Sequence, residues 1–244
     1  MTVILNSHCL HGGLAEKQAD RWKLSIPAGP AFPYRVAQLE DYTGLSRRRF
    51  PSRPPRTFGL RARASSGFAA GTWGFGFWND PFGPSINPLR LLPAMPNAAW
   101  FFFASNHNYL SFRDDKPAQG FLAQAFSAPG FDARLVPAAF TLPFSRQAAR
   151  RRLSGVIDED AVAVSVDPTD WHAYRLRWSP TRCTFEVDGS VVLETSFSPR
   201  PPMGLVIWID NQFASFTPDG RLSIGLLKSD EPAWLEAEDV ELTD

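Results

Sequence analysis

The chain has 244 residues, with 25 Lys and Arg balancing 25 Asp and Glu, so overall charge gives no reason to expect a nucleic-acid or acidic-membrane partner. Twenty Phe and eight Trp, within 44% hydrophobic residues, suffice for a large core, yet no run of 18 apolar residues could span a membrane. Length and composition suit one all-β domain over 1–244, and two cysteines, Cys9 and Cys183, are too few for a disulfide framework or a metal site.

The opening Met1–Asn6 has neither the basic nor the long apolar stretch of a secretory signal, so a cytoplasmic location is expected. Strand-like runs then recur between Pro- and Gly-rich punctuation: Trp22–Ile26, Tyr34–Leu39, Thr57–Ala64, Thr72–Trp78, Ala99–Ser105, Tyr109–Phe112 and Gly120–Phe126. After a long connection come His172–Trp178, Thr184–Val187, Val191–Thr195, Gly204–Ile209 and Trp234–Leu242. Helical periodicity is nearly absent, and this many short strands argues for a sandwich or barrel. The connection 127–159 holds a stretch that Ser145 could cap and Gly155 stop as a two-turn helix. Its length suggests a lid over the mouth of the fold.

Charge is unevenly placed. No acidic residue occurs from Tyr42 to Asn79, where Arg47, Arg48, Arg49, Arg53, Arg56, Arg61 and Arg63 cluster, while Glu236, Glu238, Asp239, Glu241 and Asp244 crowd the end. Complementary surface between neighbouring early and terminal strands is the expected reading; a partner-binding scaffold is the alternative.

Within Trp171-His172-Ala-Tyr174-Arg-Leu-Arg-Trp178 the side chains alternate with period two, and Asp188-Gly189 supplies a tight turn between the next two runs. This stretch resembles a hairpin of the laminarinase-type (family 16) glycoside hydrolases, which share the concanavalin A-like β-sandwich. Gly71-Thr-Trp-Gly-Phe-Gly-Phe-Trp-Asn79-Asp80 looks like that family's cleft strand, Pro202–Gln212 like the strand after the hairpin, and Trp234–Leu242 like the closing strand. The resemblance implies a concanavalin A-like jelly-roll β-sandwich of two antiparallel sheets, with a ligand on the concave one. It also implies where a Glu-x-Asp-x-Glu motif should stand. There the chain reads Asn97-Ala-Ala-Trp-Phe-Phe-Phe-Ala-Ser-Asn106, without a carboxylate, and that motif occurs nowhere else. The paired carboxylates of a retaining hydrolase, about 5–5.5 Å apart, are therefore not supplied in the family's way.

Four polar–aromatic clusters interrupt the apolar strands: Gln38–Tyr42, Trp78-Asn79-Asp80, Ser105–Tyr109 and Trp208–Gln212. In a strand, residues i and i+2 share a face, so Trp208, Asp210 and Gln212 point one way, as do Gln38 with Glu40 and Trp78 with Asp80. An aromatic beside an amide or carboxylate suits a sugar or similar small molecule; the same residues also suit strand ends and turns. The leading expectation is a non-hydrolytic binding protein holding an oligosaccharide or small ligand through Gln38, Trp78, Asn79, Asp80, Trp208, Asp210, Asn211 and Gln212. The alternative is an enzyme with a rebuilt site, drawing on Glu40, Asp80, His107 and Asp210. That enzyme could be a divergent hydrolase, or act on an apolar small molecule, because Trp73–Trp78 and Trp100–Phe103 place aromatics on both strand faces. His172 reads as structural. No cofactor or metal is expected.

Overall fold

The computed structural model describes residues 4–66, 69–81, 95–129 and 146–244. In chain order the elements are β1 (Asn6–Leu10), β2 (Leu14–Gln18), β3 (Arg21–Ile26), β4 (Val36–Glu40), β5 (Arg56–Ala64), β6 (Thr72–Trp78), β7 (Ala98–Ala104) and β8 (Gly120–Ser127). There follow helix α1 (Arg146–Ser154), β9 (Asp158–Ala163), β10 (His172–Ser179), β11 (Arg182–Val187), β12 (Ser190–Thr195), β13 (Gly204–Asp210), β14 (Gln212–Phe216), β15 (Leu222–Leu226) and β16 (Ala233–Thr243). Two seven-stranded antiparallel sheets result, ordered β1-β4-β13-β6-β7-β8-β9 and β12-β11-β10-β5-β16-β3-β2; β14 and β15 form a separate hairpin. The all-β jelly-roll sandwich expected from the sequence is the observed fold.

Alternation in the central strands separates the two faces of the first sheet. Trp73, Phe75 and Phe77 of β6, Phe101 and Phe103 of β7, and Leu205, Ile207 and Ile209 of β13 enter the inter-sheet core. The hairpin β10–β11 supplies the opposing side. Tyr174 packs on Phe75 with ring centroids 5.0 Å apart, Trp178 on Phe77 at 5.3 Å, and Phe185 edge-on to Phe101 at 5.4 Å. The turn between β11 and β12 places Asp188 at φ 50° and Gly189 at φ 77°, the left-handed pair that Asp-Gly accommodates. Asp188 also accepts from the Ala173 N–H at 2.9 Å and meets His172 Nδ1 at 2.6 Å. His172 thus fixes the start of β10, in keeping with a structural role.

The early arginines and the acidic terminus meet because β16 lies between β5 and β3. Arg61 and Arg21 both pair with Glu238, Arg63 pairs with Glu236, and Arg56 with Asp244. The Trp171 ring lies under the guanidinium groups of Arg21, Arg61 and Arg63. The pairs of Arg21, Arg61 and Arg63 decorate the outer face of the second sheet, while Arg56 stands at the end of β5 with the parity of the core-facing Phe58 and Leu60.

Several elements differ from the pattern expected. Tyr109–Phe112 is not a strand: the loop after β7 makes a single parallel bridge, Tyr109 to Ser215. β1, β2, β9 and the β14–β15 hairpin were not legible, since β1, β2 and β9 are edge strands whose polar composition masks alternation. α1 forms where the helix was expected. Its anticipated cap, Ser145, and about half of the anticipated lid, 130–145, lie outside the described residues.

Candidate functional site

The outward face of the first sheet carries the second side-chain set of the same strands. Trp78 from β6, Trp100 and Phe102 from β7, Phe126 from β8 and Trp208 from β13 form one buried aromatic cluster. Trp78 and Trp208 lie nearly parallel, 5.8 Å apart and 8° between planes; Trp100 sits 5.6 Å and Phe102 5.7 Å from Trp208. Two glycines make this possible. A Cβ on Gly74 would stand 2.8 Å from Trp208 Cη2, and one on Gly76 would stand 2.8 Å from Trp100 Cβ. The Gly-x-Gly interruption of β6 thus lets indoles lie flat across the sheet. Their N–H groups are already satisfied: Trp78 donates to Tyr42 Oη at 2.6 Å, Trp100 to Gln124 Oε1 at 3.1 Å and Trp208 to Thr72 Oγ1 at 3.1 Å.

A roof covers this floor. Among the described residues it consists of the loop after β7, the β14–β15 hairpin and α1. Loop and hairpin are joined by backbone bonds from Tyr109 N to Ala214 O and from Phe216 N to Tyr109 O, both 3.0 Å. Asn108 Oδ1 also accepts from Ala214 N at 3.0 Å. Arg150 of α1, 2% exposed, donates to Ser111 O at 2.8 Å, Phe216 O at 2.5 Å and Asp114 Oδ1 at 2.8 Å, and lies over the Tyr109 and Phe216 rings. A single cation thereby ties helix, loop and hairpin together.

Between floor and roof is a cavity of about 470 Å³, within the range of small-molecule sites. It runs from Tyr34, Thr72, Asp210 and Gln212 to Trp78, Pro81 and Met95, beneath Phe112, Phe213, Phe216 and Leu153. Those two ends are the two ends of β6, roughly 20 Å apart at about 3.3 Å per residue. The walls are overwhelmingly aromatic and aliphatic. Leu222 and Ile224 of β15 also border it and are 50% and 58% exposed.

The polar end centres on Asp210. Its Oδ1 accepts from Thr72 Oγ1 at 2.7 Å and from the Gln212 N–H at 3.2 Å, and its Oδ2 accepts from Tyr34 Oη at 3.0 Å. Burial pushes its carboxyl up from 3.8 to about 6, against these hydrogen bonds, which pull it down. The same burial, with the neighbouring Asp210 charge, raises the Tyr34 phenol well above its ordinary range.

Of the sequence-derived candidates, Gln38, Trp78, Trp208, Asp210 and Gln212 line the cavity. Glu40 stands behind Gln38, accepting from its Nε2 at 2.5 Å and from Thr43 Oγ1 at 2.9 Å. Asn79 is occupied elsewhere, donating to Met95 O and accepting from Asn97 N, while Asp80 is fully buried beyond the end of β6. Asn211 secures backbone, accepting from Arg35 N and donating to the carbonyls of Ala31 and Leu227. His107 is exposed on the loop, its ring 6.4 Å from that of Phe213. The carboxylates are spread along the sheet. Asp210 pairs with Thr72 and Val36, so Glu40 lies four residues away, roughly 13 Å, and Asp80 beyond Trp78, roughly 20 Å or more. Both exceed the roughly 5–9.5 Å that glycosidase carboxylate pairs span. Glu236 and Glu238 are on the other sheet.

Tyr34 and Thr72 had not been singled out. Thr72 was findable, since it shares a face with Gly74, Gly76 and Trp78; Tyr34, expected to open the strand Tyr34–Leu39, lies instead in the loop before β4 and reaches the site from there. Among the described residues there is no cluster of three or more His, Cys, Asp or Glu placed to hold a metal ion, and no helix long and apolar enough to cross a membrane.

Neither a sequence-family model nor a curated protein sequence matches the chain. Solved structures do. The Bacteroides ovatus mixed-linkage glucan family 16 protein in complex with its G4G4G3G product aligns over 98% of this chain and 94% of its own, at 10% identity and TM-score 0.50. A family 16 endo-glucanase from the same organism, with bound G4G3G-2F-DNP, covers the same shares at 11% identity and TM-score 0.50. LamAcat from Zobellia galactanivorans covers 94% of this chain and 80% of its own, at 11% identity and TM-score 0.50. At such identities the likeness is one of architecture: the chain has the β-sandwich fold of the family 16 glycoside hydrolases.

Proposed function

We propose that this chain is a non-hydrolytic binding protein that encloses one small, largely apolar molecule on the concave face of its first sheet. The observation that carries this reading is the roofed aromatic cavity with polar groups gathered at the Asp210 end. A glucan segment can stack its ring faces on tryptophan, but each buried hydroxyl must also find a partner. Here the three indole N–H groups are bonded internally, and beyond Gln38 the sheet wall between Asp210 and Trp78 offers little else to a sugar. Burying apolar ligand surface stabilises a complex by about 25 cal/mol per Å² before ordering costs, so an apolar body suits these walls.

The alternative, a rebuilt active site, draws support from Asp210, a carboxyl pushed up to about 6 beside a tyrosine within a cavity. One experiment separates the readings. The protein is titrated with N-phenyl-1-naphthylamine, followed by tryptophan quenching, and incubated with mixed-linkage β-glucan, followed by reducing-end release. Micromolar probe binding that Trp208→Ala weakens at least tenfold, with no new reducing ends, supports the binding reading. Glucan cleavage abolished by Asp210→Asn overturns it.

A further inference from the structure

The polar equipment of the cavity is one-sided. Asp210 is 5% exposed, and its three hydrogen-bond partners, Tyr34, Thr72 and the Gln212 N–H, are all neutral. Among the described residues no Lys, Arg or His forms an ion pair with it. The nearby cations point elsewhere: Arg35 is not among the cavity-lining residues and donates to the carbonyls of Gly29, Pro30 and Leu227, with its Nε unpartnered, and Arg150 in the roof donates to Ser111 O, Phe216 O and Asp114. Gln38, 1% exposed, uses its amide nitrogen on Glu40 and on Tyr42 Oη, and its carbonyl oxygen takes no hydrogen bond among the described residues. Gln38 faces Trp208 across the β4–β13 pair, so it is a diagonal neighbour of Asp210 on the cavity side. Such neighbours stand about 7–8 Å apart at Cα, within reach of one bridging group. Behind Gln38 lies a second buried carboxylate, Glu40, also without a cation.

Spare capacity at this end is therefore acceptor capacity, on a carboxylate oxygen with one neutral donor and on an amide carbonyl with none. The rings around it, Trp208 and its stacked neighbour Phe102, present the negative faces of their quadrupoles. A carboxylate head group would meet two buried negative charges there. An alcohol would satisfy one acceptor. An ammonium group carries several donors and the counter-charge that this end lacks.

We propose that the ligand of this cavity is an apolar molecule bearing a basic nitrogen, seated with its ammonium on Asp210 and Gln38 and its hydrocarbon or aromatic body along Trp208, Phe102 and Trp78. This rests on the reading of the cavity as a ligand site and adds the chemistry of the head group.

The test is a matched series: 2-(1-naphthyl)ethylamine, 2-(1-naphthyl)ethanol and 1-naphthylacetate, with dodecylamine, dodecanol and dodecanoate as a second apolar body. Each is titrated into the full chain by calorimetry at pH 7.5. The expected order in both series is amine over alcohol over acid, the amine leading by at least tenfold. Asp210→Asn should bring amine and alcohol within threefold of each other while alcohol affinity is kept. Gln38→Met should reduce amine affinity without reversing the order. Equal affinities in the unmodified protein, or a preference for the acid, overturn the head-group assignment and leave the binding reading standing. Failure of every compound to bind overturns both. The order in the unmodified protein decides even where Asp210→Asn fails to fold.

Discussion

Asp41 follows Glu40 at the end of β4, and burial pushes its carboxyl up from 3.8 to about 7; the Leu205 N–H, donating to Oδ1 at 2.9 Å, pulls the other way, and the Glu40 charge adds to the rise. A carboxyl raised on folding holds its proton more tightly in the native state. Its contribution to stability is complete below the unfolded value, near 4, and is lost as pH climbs through the folded value, near 7. Integrated from pH 5 to pH 8, that loss is roughly 2–3 kcal/mol at 1.36 kcal/mol per unit. Asn at this position is neutral throughout and keeps an oxygen for the Leu205 N–H. Asp41→Asn should therefore be near neutral at pH 5 and stabilising at pH 8. With a urea slope of about 2–3 kcal/mol/M, the midpoint of the variant should exceed that of the parent by roughly 1 M at pH 8. The assay is four urea melts, two proteins at two pH values, compared as a difference of differences. A shift of the same size at both pH values, or destabilisation at pH 8, would refute the reasoning.

Other expectations follow from the cleft and its roof. Asp210 acts with the same sign over a lower window, so the unmodified protein should lose stability relative to Asp210→Asn between about pH 4 and pH 6, which paired thermal melts would register. Gly74→Ala forces a methyl to within 2.5 Å of Phe101 O and 2.8 Å of Trp208, and overpacking of that kind costs about 1–3 kcal/mol. It should lower the melting temperature and displace Trp208 fluorescence, whereas Gly59→Ala, with only Tyr174 O at 3.7 Å, should do neither. Arg150→Ala orphans two roof carbonyls at about 1–3 kcal/mol each. Its signature is faster amide exchange at Tyr109 and Phe216, with exchange in β6 and β7 unchanged. Burial pushes the Cys183 thiol up to about 12, so Ellman's reagent should label it only after denaturation.

Period-two alternation and the Asp-Gly turn were enough to identify the run β10–β11–β12 and the central strands, because each strand there has one face sealed in the core and register cannot slip. The aromatic face was legible too, in Trp78, Trp100 and Trp208, although Gly74 and Gly76 read only as breaks in a strand until the indoles lying over them were seen. Of the edge strands, β12 was expected, but β1, β2 and β9 escaped notice. Asp158–Ala163 of β9 opens on three consecutive acidic residues, and no local rule assigns such a run to a sheet.

What the sequence determined by itself was the scaffold and the residue types of one wall, since both follow from alternation within single strands. Only the tertiary structure decided which polar residues share a space. Asp80 and Asp210 follow tryptophans in the same manner, yet pairing register sets them at opposite ends of β6, one sealed in the interior and one opening on the cavity. Only the folding of distant segments over the sheet made the groove a roofed, apolar cavity, because the bonds of Arg150 to Ser111 and Phe216 join residues 39 and 66 positions apart.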